Sequence, residues 1–195
     1  MGKVTISKST VGIAWGALYW QYFENLDKIT PAATPMKLDK RLFVERNTPS
    51  GPVLEPIMRD NANSTSLKIG DKLKVRIILT VDRDLEFVHM KDMRASAFEP
   101  YIVSSAGSSP GNFFQPQSGD GLSGYHYQDG LGYYQSTTDL ATNFFFDYLP
   151  KGTFVFEYGL KVNSSGAYSN GITTIQCMYA PEFSAHSEGI RISAD

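Results

Sequence analysis

Cysteine occurs once in this chain, at Cys177, and histidine three times, at His89, His126 and His186. A single cysteine can close no intrachain disulfide and build no multi-cysteine zinc site. The histidines are far apart and fall in no HExxH, HxH or Cys/His spacing, so no zinc site is written in the local sequence. An excess of one charge is missing too. With 18 basic and 20 acidic residues the formal net charge is −2, which provides no field to gather phosphates and excludes nucleic acid as an expected partner. No stretch approaches the roughly 20 apolar residues that span a bilayer, and the run Met1 to Lys8 lacks the apolar core of an export signal. So abrupt a start suits a piece of a longer protein, and the missing signal does not argue for the cytoplasm. The phosphate loop G-x-x-x-x-G-K-[ST] is absent, and no glycine-rich stretch stands in the strand-to-helix context that a nucleophile elbow or a dinucleotide-binding turn needs.

What is present points to β structure. Hydrophobic residues make up 42% and charged residues 19% of 195 positions, enough to fill one substantial core without staples. Aromatics reach 13%, and these side chains favour the pleated, half-buried surface of a sheet. Leu73, Val75, Ile77, Leu79 and Val81 alternate with Lys72, Lys74, Arg76 and Thr80, broken only by Ile78, so one face is expected to be buried and the other largely wet. From Thr153, Phe154, Phe156, Tyr158, Leu160 and Val162 alternate against Glu157, Gly159 and Lys161, and this row is expected to face the first, across two sheets or along one. Lys74 and Glu157 are expected on solvated faces, near neutral to replacement. Shorter strands are expected over 85–93, 101–103, 131–136, 143–146, 171–179 and 189–193. Leu149-Pro150-Lys151-Gly152 has the pattern of a type I turn, and Asn163 to Gly166 and Ser169 to Gly171 read as loop tips. No capped amphipathic helix of ten residues appears, and only 90–98 admits a short one. The expected fold is an all-β antiparallel sandwich with little helix and one long Gly/Ser-rich loop. Residues 1–11 are expected to be an artificial start or a flexible lead-in, and 12–195 a single domain with long loops at 48–66 and 104–130.

Candidate chemistry is thin. Phe113, Phe114, Tyr125, His126 and Tyr127 sit among glycines in the second loop, either pinning it to the sandwich or offered to a partner. The 104–130 loop is expected to be removable with the sandwich intact. His186-Ser187-Glu188 could place two ligands on one strand face, but it is read as a solvated segment near the C-terminus. Cys177 lies in the strand-like run Ile175 to Tyr179, where a free cysteine is ordinarily a small buried hydrophobe rather than a nucleophile. Asp82, Asp84 and Glu86 alternate onto one face, as a calcium site or acid/base pair would need, but with Arg83 and Lys91 nearby they read as a solvated turn. Asp120 and Asp129 are isolated. Asn63-Ser64-Thr65 and Asn163-Ser164-Ser165 match the glycosylation sequon, which has meaning only in a host with that machinery. No catalytic, cofactor-binding or metal-binding residue is assigned, and no cofactor is expected. Gly12 to Tyr22 alternates imperfectly and is unusually aromatic, as a strand leading out of a preceding domain or a binding platform would be.

Gly132-Tyr133-Tyr134-Gln135-Ser136-Thr137, then Asn143 to Asp147, then Leu149-Pro150-Lys151-Gly152-Thr153-Phe154-Val155-Phe156-Glu157-Tyr158 resemble the C-terminal macroglobulin-like domain of bacterial, Bacteroidetes-type, α2-macroglobulin proteins. Gln176-Cys177-Met178-Tyr179-Ala180-Pro181-Glu182-Phe183 looks like the closing strand of the same module, and Val81 to Glu86 through Ala97-Phe98-Glu99-Pro100 fits its upstream part. The resemblance covers about Trp15 to Ile192. It implies a macroglobulin/immunoglobulin-like antiparallel β-sandwich with a structural and interaction role, a periplasmic or outer-envelope parent, and as partners the neighbouring domains of that parent and, through it, proteases. The reactive Cys-x-Glu-Gln of many family members is absent, since Cys177 is followed by Met178-Tyr179-Ala180. The alternative reading is a carbohydrate-binding or adhesin-type sandwich that uses the loop aromatics.

Overall fold

The computed structural model describes residues 4–16, 21–57, 67–101, 126–127 and 131–195. The strands are β1 (Met36–Thr48), β2 (Gly51–Pro56), β3 (Lys72–Val81), β4 (Leu85–Met93), β5 (Phe98–Tyr101), β6 (His126–Tyr127), β7 (Tyr134–Thr137), β8 (Ala141–Leu149), β9 (Gly152–Val162), β10 (Gly166–Ser169), β11 (Thr173–Cys177), β12 (Ser184–His186) and β13 (Arg191–Ala194). Among the described residues the only helical turn is the 3-10 segment Leu26–Lys28. One sheet runs β2-β1-β3-β9-β5, with β6 parallel to β9 beyond the end of β5. A second runs β12-β11-β4-β8-β7, and β10 and β13 form a separate ribbon. The chain is thus an all-β sandwich, and apart from β6 every pairing is antiparallel.

The ten alternating positions of β3 and β9 are all buried, but the two strands are neighbours in one sheet, Ile77 beside Phe156, rather than opposed across the core. Their antiparallel pairing superimposes the two apolar rows on the same face, which is what period-two sequences do when they share a ladder. The opposing layer comes from β4 and β8. Phe144 and Phe146 reach across to Phe156 at ring centroid separations of 5.4 and 5.8 Å, and Tyr133 closes the cluster at 6.1 Å from Phe156. Nor is the far side of the first sheet simply wet, because Arg76, Val155 and Glu157 on that face are buried.

The longest strand, β1, does not announce itself. Its inward row is Met36, Leu38, Lys40, Leu42 and Val44, all buried, with a lysine at the centre where the alternation demands an apolar residue. Its sheet-edge partner β2 occupies part of the 48–66 stretch expected to be irregular; Pro52 and Pro56 are tolerated there because an edge strand has a side without ladder bonds. The helix allowed over 90–98 does not form. Residues 85–93 are strand, held between β8 and β11. Tyr101 ends β5, and 102–103 lie outside the described residues, as do the loop aromatics other than the backbone of His126 and Tyr127.

Two local features shape the sandwich. Phe87 has φ 50, a rare state for a bulky residue, and there the alternation of β4 slips, so that Leu85 and Val88, three apart, are both buried. Leu149 and Phe146 opposite them slip in step, which preserves the register. A tight connection at Pro150 and Lys151 joins β8 to β9, and its Lys151 N–H donates to Asp84 at 2.8 Å. At the other end the chain enters the sandwich where Ala32 bridges His186, then crosses from the edge of one sheet into β1 of the other. Residues 4–16 and 21–25 carry no strand and are exposed throughout.

Candidate functional site

The most polar spot in the interior is also its most enclosed. Asp92, inward on β4, receives Lys40 Nζ from β1 at 2.5 Å and Thr173 Oγ1 from β11 at 2.7 Å on one carboxylate oxygen, while the Tyr158 hydroxyl from β9 donates to the other. Lys40 donates again to the Met93 carbonyl at 2.6 Å. Both charged side chains are wholly inaccessible. Burial, then the negative charge of Asp92, pushes the Tyr158 hydroxyl well above its ordinary range. Four strands from both sheets therefore converge on one carboxylate. Both its oxygens are engaged and no substrate can reach it, so the cluster works as a clamp between layers. Sequence reasoning passed over Lys40 and Asp92. The available signal was a charged residue in phase with an apolar row: Lys40 with Met36, Leu38, Leu42 and Val44, and Asp92 with Val88 and Met90.

A second buried pair lies on the outer face of the first sheet. Arg76 Nε donates to Glu157, Lys74 Nζ stands 3.7 Å from the same carboxylate, and the guanidinium sits 5.1 Å from the Phe43 ring centroid. The flanking alternation had assigned Glu157 to solvent, but it is only 2% exposed.

One crevice of about 160 Å³ opens between the edges of the two sheets, where β5 and β9 approach β7 and β8. Tyr101, Gln135, Thr137, Thr142 and Tyr158 line it, and the Gln135 carbonyl oxygen is buried there without a hydrogen-bond partner. Tyr101 lies flat on Gly159, where a Cβ would come within 2.7 Å of the ring. Small-molecule sites ordinarily occupy about 300–1,000 Å³, so this space suits a few waters rather than a substrate.

The side chains weighed from sequence do not converge. Cys177 is buried, its thiol 3.4 Å from the Glu86 carbonyl, and burial together with the Glu182 charge pushes its pKa up, away from a nucleophilic thiolate. His89 lies on the outer face of the second sheet, bonded to the Asn143 side chain at 3.0 Å and stacked on Phe145 at 4.6 Å. His186 bonds the neighbouring Ser187 carbonyl at 3.2 Å, and its strand ends before Glu188. Asp82 pairs with Arg83, and Asp84 accepts the Lys151 amide, so both carboxyls are held below the usual range. No group of three His, Cys, Asp or Glu side chains placed to hold a metal occurs among the described residues. Asn163 donates to Glu99; Asn63, Asp120 and Asp129 lie outside the described residues. Among the described residues no helix is long and apolar enough to cross a membrane.

What the surface does offer is an apolar end. The Phe87 slip turns its ring outward, edge-on to Tyr179 at 5.3 Å, and Phe87, Met178 and Tyr179 are 45%, 58% and 82% exposed. The Met178 amide donates to the Phe87 carbonyl at 2.9 Å, tying the two segments together. Asp82, Arg83, Asp84, Glu86 and Glu182 surround this patch in the chain. An apolar centre with a charged rim is the composition of a protein interface.

The profile of the bacterial alpha-2-macroglobulin MG10 domain matches residues 36–182. No curated protein matches the chain by sequence. Among solved structures, Salmonella alpha-2-macroglobulin reacted with methylamine is similar at 15% identity and TM-score 0.61, over 86% of this chain and 10% of that one. Native Escherichia coli alpha-2-macroglobulin spanning MG7 to the C-terminus is similar at 12% identity and TM-score 0.59, over 84% of this chain and 24% of that one. A cryo-EM reconstruction of native E. coli alpha-2-macroglobulin gives 13% identity, TM-score 0.59 and coverage of 86% and 10%. At these identities the likeness is one of fold, and the chain spans about a tenth of the first of these relatives.

Proposed function

This chain belongs to the MG10 domain family of bacterial alpha-2-macroglobulins, and on that footing we propose that it is a non-catalytic structural and interaction module of a longer protease-trapping protein. The observation that carries the reading is the apolar end formed by Phe87, Met178 and Tyr179, which gains by being covered and has the charged rim of a docking surface. A neighbouring domain of the same polypeptide is its partner, and proteases meet the module only through that parent. The thioester chemistry, if the parent carries it, lies elsewhere, because Cys177 is followed by Met178-Tyr179-Ala180. The parent belongs in the periplasm or outer envelope, and this module is one sandwich within it.

The test is hydrogen exchange on the intact polypeptide from its native source beside the 195-residue chain. Amides around Phe87 and 177–180 are expected to exchange more slowly in the longer protein. Equal rates in both would remove the interface and with it the reading. A second reading, carbohydrate binding, is favoured by the outward row in which Phe145 stacks on His89 and lies 6.0 Å from Tyr134. Binding of the chain to a glycan array, lost in Tyr134→Ala, would establish it.

A further inference from the structure

The segment ahead of the sandwich is built like a strand and pairs with no other strand among the described residues. Val4 and Ile6 alternate with Thr5 and Ser7; Val11, Ile13 and Trp15 alternate with Gly12 and Ala14. β-branched and aromatic side chains at period two are strand composition. Yet Val11, Ile13 and Trp15 are 106%, 83% and 93% exposed, and Ile6 is 86% exposed. Among the described residues no backbone hydrogen bond pairs 4–16 with the sandwich; the first anchors are the Ile29 carbonyl, which accepts from the Gly189 amide at 3.1 Å, and then the Ala32 bridge to His186. That bridge itself covers the outer side of β12, and the edge strand β2 carries Pro52 and Pro56, which cannot donate to a ladder. The module's own edges on this side are therefore poor acceptors for its leader. Residues 10–12 bend the unpaired chain, and Gly12, at φ 128, can return to an extended form at no steric cost.

We propose that residues 4–16 are a donated strand, adding to an open sheet edge of the β-domain that precedes this module in the same polypeptide. Main-chain hydrogen bonds supply the ladder, and Val11, Ile13 and Trp15 enter that domain's core on alternate positions. The proposal rests on the reading of the chain as a module of a longer protein. It goes further by naming a second contact, distinct from the apolar end at Phe87 and Tyr179, and the chemistry of its partner.

Hydrogen exchange tests it on the polypeptide isolated from its native source, beside the 195-residue chain. In the short chain the amides of 4–16 are expected to exchange within a few-fold of a free peptide. In the longer protein they should be slowed at least about 100-fold, as ladder amides are. Ile13→Pro is expected to leave the melting midpoint of the short chain unchanged and to abolish protection of 4–16 in the long one. Were the native polypeptide no longer than this chain, the module reading itself would fail. If it is longer and 4–16 exchange freely, only the strand donation falls. Concentration-dependent dimers of the short chain that protect 4–16 would overturn the proposal by showing that a second copy is the acceptor.

Discussion

Replacing Asp92 with alanine removes the single acceptor shared by Lys40, Tyr158 and Thr173. An ammonium ion with no solvent access would be left with only the Met93 carbonyl. Breaking a buried pair from one side costs about 3–5 kcal/mol, because the remaining charge is uncompensated. Two stranded hydroxyls add to this, at about 1–3 kcal/mol each in isolation, though groups sharing one partner do not add fully. An expected loss of about 4–6 kcal/mol is a large part of the about 5–15 kcal/mol that holds a domain together. Equilibrium unfolding in urea, followed by far-ultraviolet circular dichroism, converts this into a midpoint shift. With a slope of about 2 kcal/mol per molar, the midpoint falls by about 2–3 M. Lys40→Met, leaving the carboxylate with only its hydroxyl donors, is expected to lose about 3 kcal/mol. The double replacement Lys40→Met with Asp92→Asn should recover part of that, since a neutral pair carries no orphaned charge. A shift of less than about 0.5 M for Asp92→Ala would mean that water reaches the pair, and the interlayer clamp would be wrong.

Glu157→Ala strands the buried Arg76 and is expected to cost about 3 kcal/mol or more, whereas Lys74→Ala, more exposed and only 3.7 Å from the same carboxylate, should stay within about 1 kcal/mol in the same urea assay. Gly171 has φ 72, and a Cβ there would lie 2.7 Å from Met93 Cβ, so Gly171→Ala should lower the melting midpoint through about 1–3 kcal/mol of strain; an unchanged calorimetric scan would contradict the close approach. Cys177, buried with its thiol pKa raised, should react with iodoacetamide far more slowly at neutral pH in the folded chain than in urea, and equal rates would show it to be an available nucleophile. Tyr158 keeps its proton in the folded state beyond the pH at which an unfolded tyrosine, with pKa 10.0, releases it. Its contribution is therefore complete below pH 10 and lost above it by about 1.4 kcal/mol per pH unit, so the alkaline stability profile of Tyr158→Phe should be flatter than that of the parent chain.

Much of the sandwich was legible because period-two alternation is a local property. A strand whose apolar row is continuous, as in β3 and β9, declares both its conformation and its buried face, and all ten of those positions are in the core. The turn at Leu149 to Gly152 was likewise readable, since proline and glycine act on their own backbone. Alternation carries no information about which strand lies beside which. Whether β9 paired with β3 or opposed it was decided by the ladder, whose register joins residues some eighty positions apart. The same limit hid β1. Lys40 spoils its pattern unless Asp92, from the other sheet, is known to meet it, and only the folded chain brings them together. The apolar end was hidden for a related reason: Phe87 faces outward because its backbone takes φ 50, a state enforced by the paired slip of β4 and β8 and not by any preference of phenylalanine. Sequence by itself determined that this chain makes strands and, for β3 and β9, which apolar row is buried. Tertiary structure decided how they are layered, how charges survive between the layers, and which hydrophobic residues are left for a partner, because each of these depends on neighbours that are distant in the chain.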